Sequence, residues 1–237
     1  MIGKYFRAFL FLTSVIILAI LNATIVLILF PFVYFFDKQR HSLHFFGISW
    51  AWGIKLCNPW WKFHIKGREN LAPNNTAVIY VANHQSQVDI LALFMLNMRF
   101  RWIAKASLFK IPFMGWAMSA VGYVPVIRGN RKSQEKCMMR ATEFIKNGVP
   151  MGFFPEGTRS ATGELGEFKT GAFRLAQSTG VPIIPISIQG CGKLLPKHSI
   201  IPQKATVTIT VHAPIQSNDC DLNTLVQKVR SVILSGM

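Results

Sequence analysis

The stretch Tyr80-Val81-Ala82-Asn83-His84-Gln85-Ser86-Gln87-Val88-Asp89 passes from an apolar, β-branched run into a segment with helical signals. A strand that turns directly into a helix is the repeating unit of a parallel sheet. The same alternation continues on both sides. Candidate strands are Trp61–Lys66, Ala77–Ala82, Phe100–Ala104, Tyr123–Ile127, Met151–Phe154, Ile183–Ile188 and Thr206–His212. Candidate helices lie between or after them: Ser86–Leu96, Pro112–Ala120, Ser133–Lys146, Thr170–Thr179 and Leu222–Leu234. Ser133 is the expected cap of the longest, and Asn147-Gly148 ends it. The expectation is an α/β domain over residues 61–237, with a largely parallel sheet flanked by helices.

Within the opening stretch, His84 and Asp89 are five residues apart. On one continuous helix they would point about 140° apart. They meet only if His84 sits in the turn and the helix starts after it, with Ser86 as cap. Asp89 then lies in the first turn, where it can hold one ring nitrogen of His84 and leave the other free as a base. A plainer reading exists. Ser86-x-x-Asp89 also fits a capping box, in which Asp89 only returns a hydrogen bond to the cap.

Two further strand ends carry cations. Gly122-Tyr123-Val124-Pro125-Val126-Ile127-Arg128-Gly129 places Arg128 after an apolar run, and Phe153-Phe154-Pro155-Glu156-Gly157-Thr158-Arg159-Ser160 does the same for Arg159. Ligands of open parallel sheets bind beyond the carboxyl ends of strands, and the planar fork of Arg suits a phosphate monoester. Lys105 and Lys169 stand at similar places and add charge. Glu156 is suited to orienting Arg159 or a backbone turn. In Val181-Pro182-Ile183-Ile184-Pro185-Ile186 the two prolines argue against a fully paired central strand, and on residues alone the run reads as an irregular core strand.

Residues 1–60 differ in kind. No charged residue occurs from Ala8 to Phe36. As a helix the run would reach roughly 44 Å, beyond the ~30 Å of bilayer hydrocarbon. One tilted spanning helix is one reading. The other is a helix that breaks near Pro31, with a second apolar helix over Leu43–Cys57 lying at the interface, where Trp50, Trp52, Trp60 and Trp61 fit a headgroup belt. Lys4 and Arg7 before the run and Lys38 and Arg40 after it suit a segment that enters and leaves on one side. Residues 1–60 are therefore expected to be membrane-anchoring helices.

Composition agrees. Hydrophobic residues make up 51% of the chain, yet Lys and Arg outnumber Asp and Glu by 26 to 10. A greasy, basic chain suits an anionic lipid surface. Nucleic acid is the other anionic partner, but no RNA- or DNA-binding signature is present and the cations are scattered. Cys57, Cys137, Cys191 and Cys220 form no C-x-x-C pair, so no metal site is expected. Isolated thiols fit a reducing compartment and a domain on the cytoplasmic face of a membrane.

Four blocks in order carry a resemblance. They are Asn83-His84-Gln85-Ser86-x-x-Asp89, Val124-Pro125-Val126-Ile127-Arg128, Phe154-Pro155-Glu156-Gly157-Thr158-Arg159-Ser160 and Val181-Pro182-Ile183-Ile184-Pro185, with Phe168-Lys169-x-Gly171 after the third. Together they resemble the glycerolipid acyltransferase superfamily, and the first and third blocks are most similar to its 1-acylglycerol-3-phosphate acyltransferases. The resemblance spans residues 76–190.

It implies that His84 is the general base on the free sn-2 hydroxyl of lysophosphatidic acid, oriented by Asp89, with phosphatidic acid as product. It implies acceptor binding by Arg128, Glu156, Gly157 and Arg159, with both arginines on the phosphate and Lys105 beside them. It places the acyl site at Val181, Pro182, Ile184 and Pro185. No cofactor is implied, and the acyl donor is an acyl-coenzyme A or acyl-carrier-protein thioester. No G-x-S-x-G elbow is present, so direct transfer is expected rather than a serine acyl-enzyme. Two rival functions remain: a related acyltransferase acting on glycerol 3-phosphate or a lysophospholipid, and a non-catalytic protein that binds membrane surfaces.

Overall fold

The computed structural model describes residues 2–74, 76–160 and 162–237, without the side chains of Ile2 and Lys4. The Lys4 charge counted above thus lies outside the described residues. The chain begins with two helices, α1 (Ile2–Phe36) and α2 (His41–Cys57). The strands are β1 (Trp61–Lys66), β2 (Ile79–Ala82), β3 (Arg101–Lys105), β4 (Val124–Val126), β5 (Met151–Phe153), β6 (Ile183–Gln189) and β7 (Ala205–Val211). The later helices are α3 (Val88–Phe94), α4 (Met114–Val121), α5 (Arg131–Lys146), α6 (Gly171–Thr179), the single turn α7 (Cys191–Leu194) and α8 (Leu222–Ser235). Every expected strand forms.

The seven strands make one sheet in the order β1-β7-β6-β2-β5-β3-β4. All neighbours are parallel except β6 and β7. Alternation along β2 divides the core. Tyr80 and Ala82 face the layer that holds α2 and α3, and Ile79 and Val81 face α5, α6 and α8. The carboxyl ends of β2, β5, β3 and β4 all point to one edge of the sheet, which gathers the segments after them.

The first two helices are part of this core. Phe11 of α1 and Ile48, Ala51 and Ile54 of α2 are buried in the same cluster as Trp61, Tyr80, Phe94 and Phe100. The change of composition near residue 60 is thus not a gap in packing. Ile54→Ala is expected to lower the stability of the whole α/β domain by ~2–5 kcal/mol, the usual cost of emptying a buried isoleucine site. Denaturant melts of the two detergent-solubilised proteins measure it, and an unchanged midpoint would contradict a shared core.

The hairpin is pinned by polar bonds along its length. Ser49 Oγ donates to Asn22 Oδ1 at 2.7 Å, and Trp50 Nε1 donates to the Val15 carbonyl at 3.3 Å. The turn falls at Asp37–Arg40, where Asp37 Oδ2 accepts from Ser42 N and Oγ, each at 2.8 Å. The break expected near Pro31 is therefore displaced. α1 continues through Pro31, which forfeits one backbone bond, and stops where Asp37 can cap the next helix. Arg101 anchors the turn from below. It is fully buried, donates to the Gln39 and Phe100 carbonyls, and burial pulls its guanidinium down to about 10. This arginine is a strut rather than part of a surface charge.

α1 has two faces. Ala8, Phe11, Ser14, Ala23 and Val26 are buried against the protein, while Phe9, Ile16, Ile20, Ile28, Phe32 and Phe35 are exposed. Its segment Tyr5–Phe36 is long and apolar enough to cross a membrane. Yet it lies against α2 and α4 from its first turns to its last.

Candidate active site

The turn after β2 is fixed before any catalytic group is placed. Asn83 is buried and exchanges two bonds with the backbone of Ile188: Nδ2 donates at 2.8 Å and Oδ1 accepts at 2.7 Å. Ser86 Oγ donates to the Leu195 carbonyl at 2.7 Å and accepts from Val88 N at 3.2 Å. These bonds tie the turn to β6 and to the end of α7.

Asp89 then occupies the first turn of α3, with no solvent exposure. Its Oδ2 accepts from His84 Nδ1 at 2.8 Å, from Gln85 N at 2.6 Å and from Ser86 N at 2.7 Å. The bond to Ser86 N is half of a capping box, so the two readings of this motif hold at once. One oxygen both closes the helix start and grips the imidazole. A carboxylate on Nδ1 keeps the proton there and leaves Nε2 unprotonated. The ring is only 13% exposed and lies flat on Phe154, centroid to centroid 4.0 Å. Phe154 in turn stacks on Trp102 at 5.0 Å. The imidazole has little freedom to turn.

The turn after β5 clamps the backbone of the same histidine. His84 N donates to Glu156 Oε1 at 2.7 Å, and Ser160 N donates to the His84 carbonyl at 2.8 Å. Glu156 Oε2 accepts from Gly166 N at 3.2 Å. Burial pushes the Glu156 carboxyl up, and these two N–H donors partly offset it. Glu156 therefore accepts from backbone N–H groups with both oxygens and ties the turn after β5 to the His84 backbone. Gly157 has φ +70°, and a Cβ there would lie 2.8 Å from Lys169 Nζ. The glycine lets this ammonium close over the turn.

His84 opens on a cavity of about 770 Å³. Its lining is in part apolar, with Ala23 and Val26 of α1, Phe46 and Trp50 of α2, and Met114 and Met118 of α4. The same cavity is also lined by the cations Lys105, Arg128, Lys169 and Arg174. The imidazole thus shares one cavity with apolar walls and four positive side chains.

The cavity does not gather every residue expected from sequence. Arg159 lines a smaller neighbouring cavity with Glu156, Thr158 and Ser160, and Lys169 is the wall the two share. Val181, Pro182, Ile184 and Pro185 line neither cavity. Ile184 is a buried residue of the central strand β6. Pro185 falls between the Ile183–Ile215 bridge and the β6–β7 ladder that starts at Ile186, where a missing N–H costs no ladder bond. The irregular core strand is what forms. Arg174 was missed. It stands three residues after Gly171 on α6, and both line the cavity, a helical spacing that follows Lys169 directly.

Comparison with known proteins agrees with this geometry. Residues 62–189 match the Acyltransferase family. The chain belongs to that family. Among curated members, it is 42% identical over 208 residues to a chloroplastic 1-acyl-sn-glycerol-3-phosphate acyltransferase of Brassica napus, covering 87% of this chain and 60% of the relative. An Arabidopsis thaliana acyltransferase of the same name is 41% identical, covering 93% of this chain and 63% of the relative. The chain thus spans less than two thirds of the length of these relatives. A crystal structure of the 1-acyl-sn-glycerophosphate acyltransferase PlsC from Thermotoga maritima superposes with a TM-score of 0.86 at 28% identity, over 99% of this chain and 95% of that one. The match to PlsC includes the acyltransferase sheet and the helix pair before it.

Proposed function

We propose that this acyltransferase moves a fatty acyl group from a thioester to the sn-2 hydroxyl of 1-acylglycerol 3-phosphate, giving phosphatidic acid. The observation that carries the proposal is that His84 opens on one cavity lined by both apolar and cationic side chains. Nε2 takes the proton of the hydroxyl as its oxygen attacks the thioester carbonyl. The C–O bond forms, the C–S bond breaks, and the departing thiolate is neutralised by the proton now on the imidazole. Asp89 holds the ring and stabilises its charged form. Acyl-coenzyme A and acyl-carrier protein both deliver such a thioester.

The rivals fit the cavity less well. Glycerol 3-phosphate has no chain for the apolar wall, and a choline headgroup would meet four like charges. A lipid that pairs one chain with a phosphate monoester suits both kinds of lining.

Arg128 is the proposed phosphate contact within the His84 cavity, with Lys105, Lys169 and Arg174 beside it; Gly157 admits Lys169. Arg159 is the second, reached across the Lys169 wall. Arg128→Ala should raise the KM for lysophosphatidate roughly ten- to a hundredfold, because a charge-assisted contact contributes ~1.5–3 kcal/mol. The KM for the donor should hardly move, and Arg128→Lys should recover part of the loss. Arg159→Ala should show the same selectivity with a smaller effect. Saturation curves for each substrate measure this, and equal effects on donor and acceptor would remove Arg128 from the phosphate site.

Residues 1–60 form the proposed membrane anchor. The protein-packed face of α1 runs the length of the helix, which supports a hairpin lying in one leaflet of an anionic membrane. The free thiols support a catalytic domain on the cytoplasmic side.

A further inference from the structure

The apolar surface of the protein does not end with the hairpin. Between β3 and α4 the chain makes a 3₁₀ turn, Ala106–Lys110, and then a tight corner at Ile111-Pro112-Phe113. Ile111, Phe113 and Trp116 are 44%, 39% and 52% exposed, far more than large apolar side chains in contact with their own core. The rings of Phe113 and Trp116 lie together, 5.4 Å apart.

The corner is built rather than loose. Gly115 N donates to the Ile111 carbonyl and Ala117 N to the Phe113 carbonyl, each at 2.8 Å. A Cβ at Gly115 would lie 2.2 Å from the Phe109 carbonyl oxygen, so the glycine lets the turn close on itself. Phe113 has φ +60°, a conformation that L side chains rarely adopt. The chain accepts this strain and still leaves the Phe113 ring partly in solvent. Backbone strain of this kind clusters at functional sites.

The neighbouring helix shows what lies on either side. Met114, Ala117, Met118 and Val121 repeat at helical spacing and line the His84 cavity. Ala120 and Val121 pack on α1 beside Val26, Leu29 and Phe30. Trp116 is absent from the cavity lining and stands one helical turn before Ala120, which packs on α1. The exposed apolar face of α1 and the corner are thus joined through α4, and Lys110 adds an exposed cation at the rim.

We propose that Ile111, Phe113 and Trp116 form a second membrane-inserting element, which seats the α1–α4 wall of the cavity on the bilayer surface. The occupant is lipid, because the patch is aromatic and aliphatic with a lysine at its edge and continues the apolar face of the hairpin. The inference rests on the reading of residues 1–60 as an in-plane anchor. With two separate contacts the protein is held against the leaflet in one orientation, and a bilayer-embedded acceptor is delivered to the wall that α4 shares with the cavity.

The test uses the full chain and vesicles of phosphatidylethanolamine and phosphatidylglycerol, with and without brominated acyl chains. Bromine quenches tryptophans that enter the hydrocarbon. The quenching should be measurably smaller in Trp116→Phe than in the wild type, with unchanged thermal unfolding. In a second arm, Ile111→Ser/Phe113→Ser/Trp116→Ser should lose about tenfold in rate on long-chain lysophosphatidate in vesicles. It should lose less than twofold on a short-chain, water-soluble lysophosphatidate. Equal quenching in wild type and Trp116→Phe, while both float with vesicles, overturns the inference and leaves the anchor intact. Failure of the wild type to float overturns the anchor and the inference together. Equal losses on both acceptors in the second arm also reject it, since a damaged cavity does not discriminate between them.

Discussion

His84→Ala is expected to lower acyl transfer by at least ~10²-fold, the scale of a lost general base. The fold should survive. His84 lies in a turn held by other bonds, those of Asn83 to Ile188 and of Ser86 to Leu195, and its backbone clamps to Glu156 and Ser160 use main-chain atoms that alanine keeps. Loss of the ring uncovers Phe154 but leaves no large cavity. The measurement is a steady-state rate on folded protein, with unfolding followed alongside. Wild-type turnover by the variant would remove His84 from the reaction.

Asp89→Asn should be nearly as damaging, for a different reason. The carboxylate oxygen Oδ2 accepts three hydrogen bonds. An amide of the same shape can keep an oxygen toward the backbone N–H groups of Gln85 and Ser86. It then has no charge to stabilise the imidazolium, and a flipped amide would donate to Nδ1 and place the proton on Nε2, where the base is needed. We expect a loss of ~10²-fold or more in kcat with a small change in the KM of either substrate. The capping bond is partly retained, so stability should fall by about 1 kcal/mol, within the range for a weakened helix cap. If stability alone fell and kcat did not, Asp89 would be a cap and nothing more.

Much of the site was legible because its residues lie close in sequence at strand ends. The spacing of His84 and Asp89 required a turn between them, and the turn is there. The capping box and the imidazole contact were posed as rivals, but one buried oxygen serves both. Arg128 reached the His84 cavity because β4 runs parallel to β3 and ends on the same edge as β2. Arg159 did not, because the turn after β5 spends Glu156 and Ser160 on the His84 backbone and points the next arginine to the other side of Lys169. Pro185 of β6 lies in the sheet, as its residue pattern suggests, and does not line the His84 cavity.

What the sequence concealed is tertiary. Much of the apolar lining of the cavity comes from α1, α2 and α4, whose residues carry no chemical motif and read as membrane or core. The long apolar run shows in the sequence, but not that its inner face packs beside Trp61 and Phe100. Pro31 was a reasonable place for a break. A single lost hydrogen bond proved too small to end a helix supported on one side by α2 and α4.

The most direct test is a competition in one vessel. Purified protein receives one isotopically labelled acyl thioester and equal amounts of lysophosphatidate, glycerol 3-phosphate and lysophosphatidylcholine, and the lipid products are identified by mass spectrometry with positional analysis. The label should appear in phosphatidate at the sn-2 position, and should be absent when His84→Ala replaces the wild type. Label in lysophosphatidate or phosphatidylcholine instead, or phosphatidate formed equally by both proteins, would contradict the account.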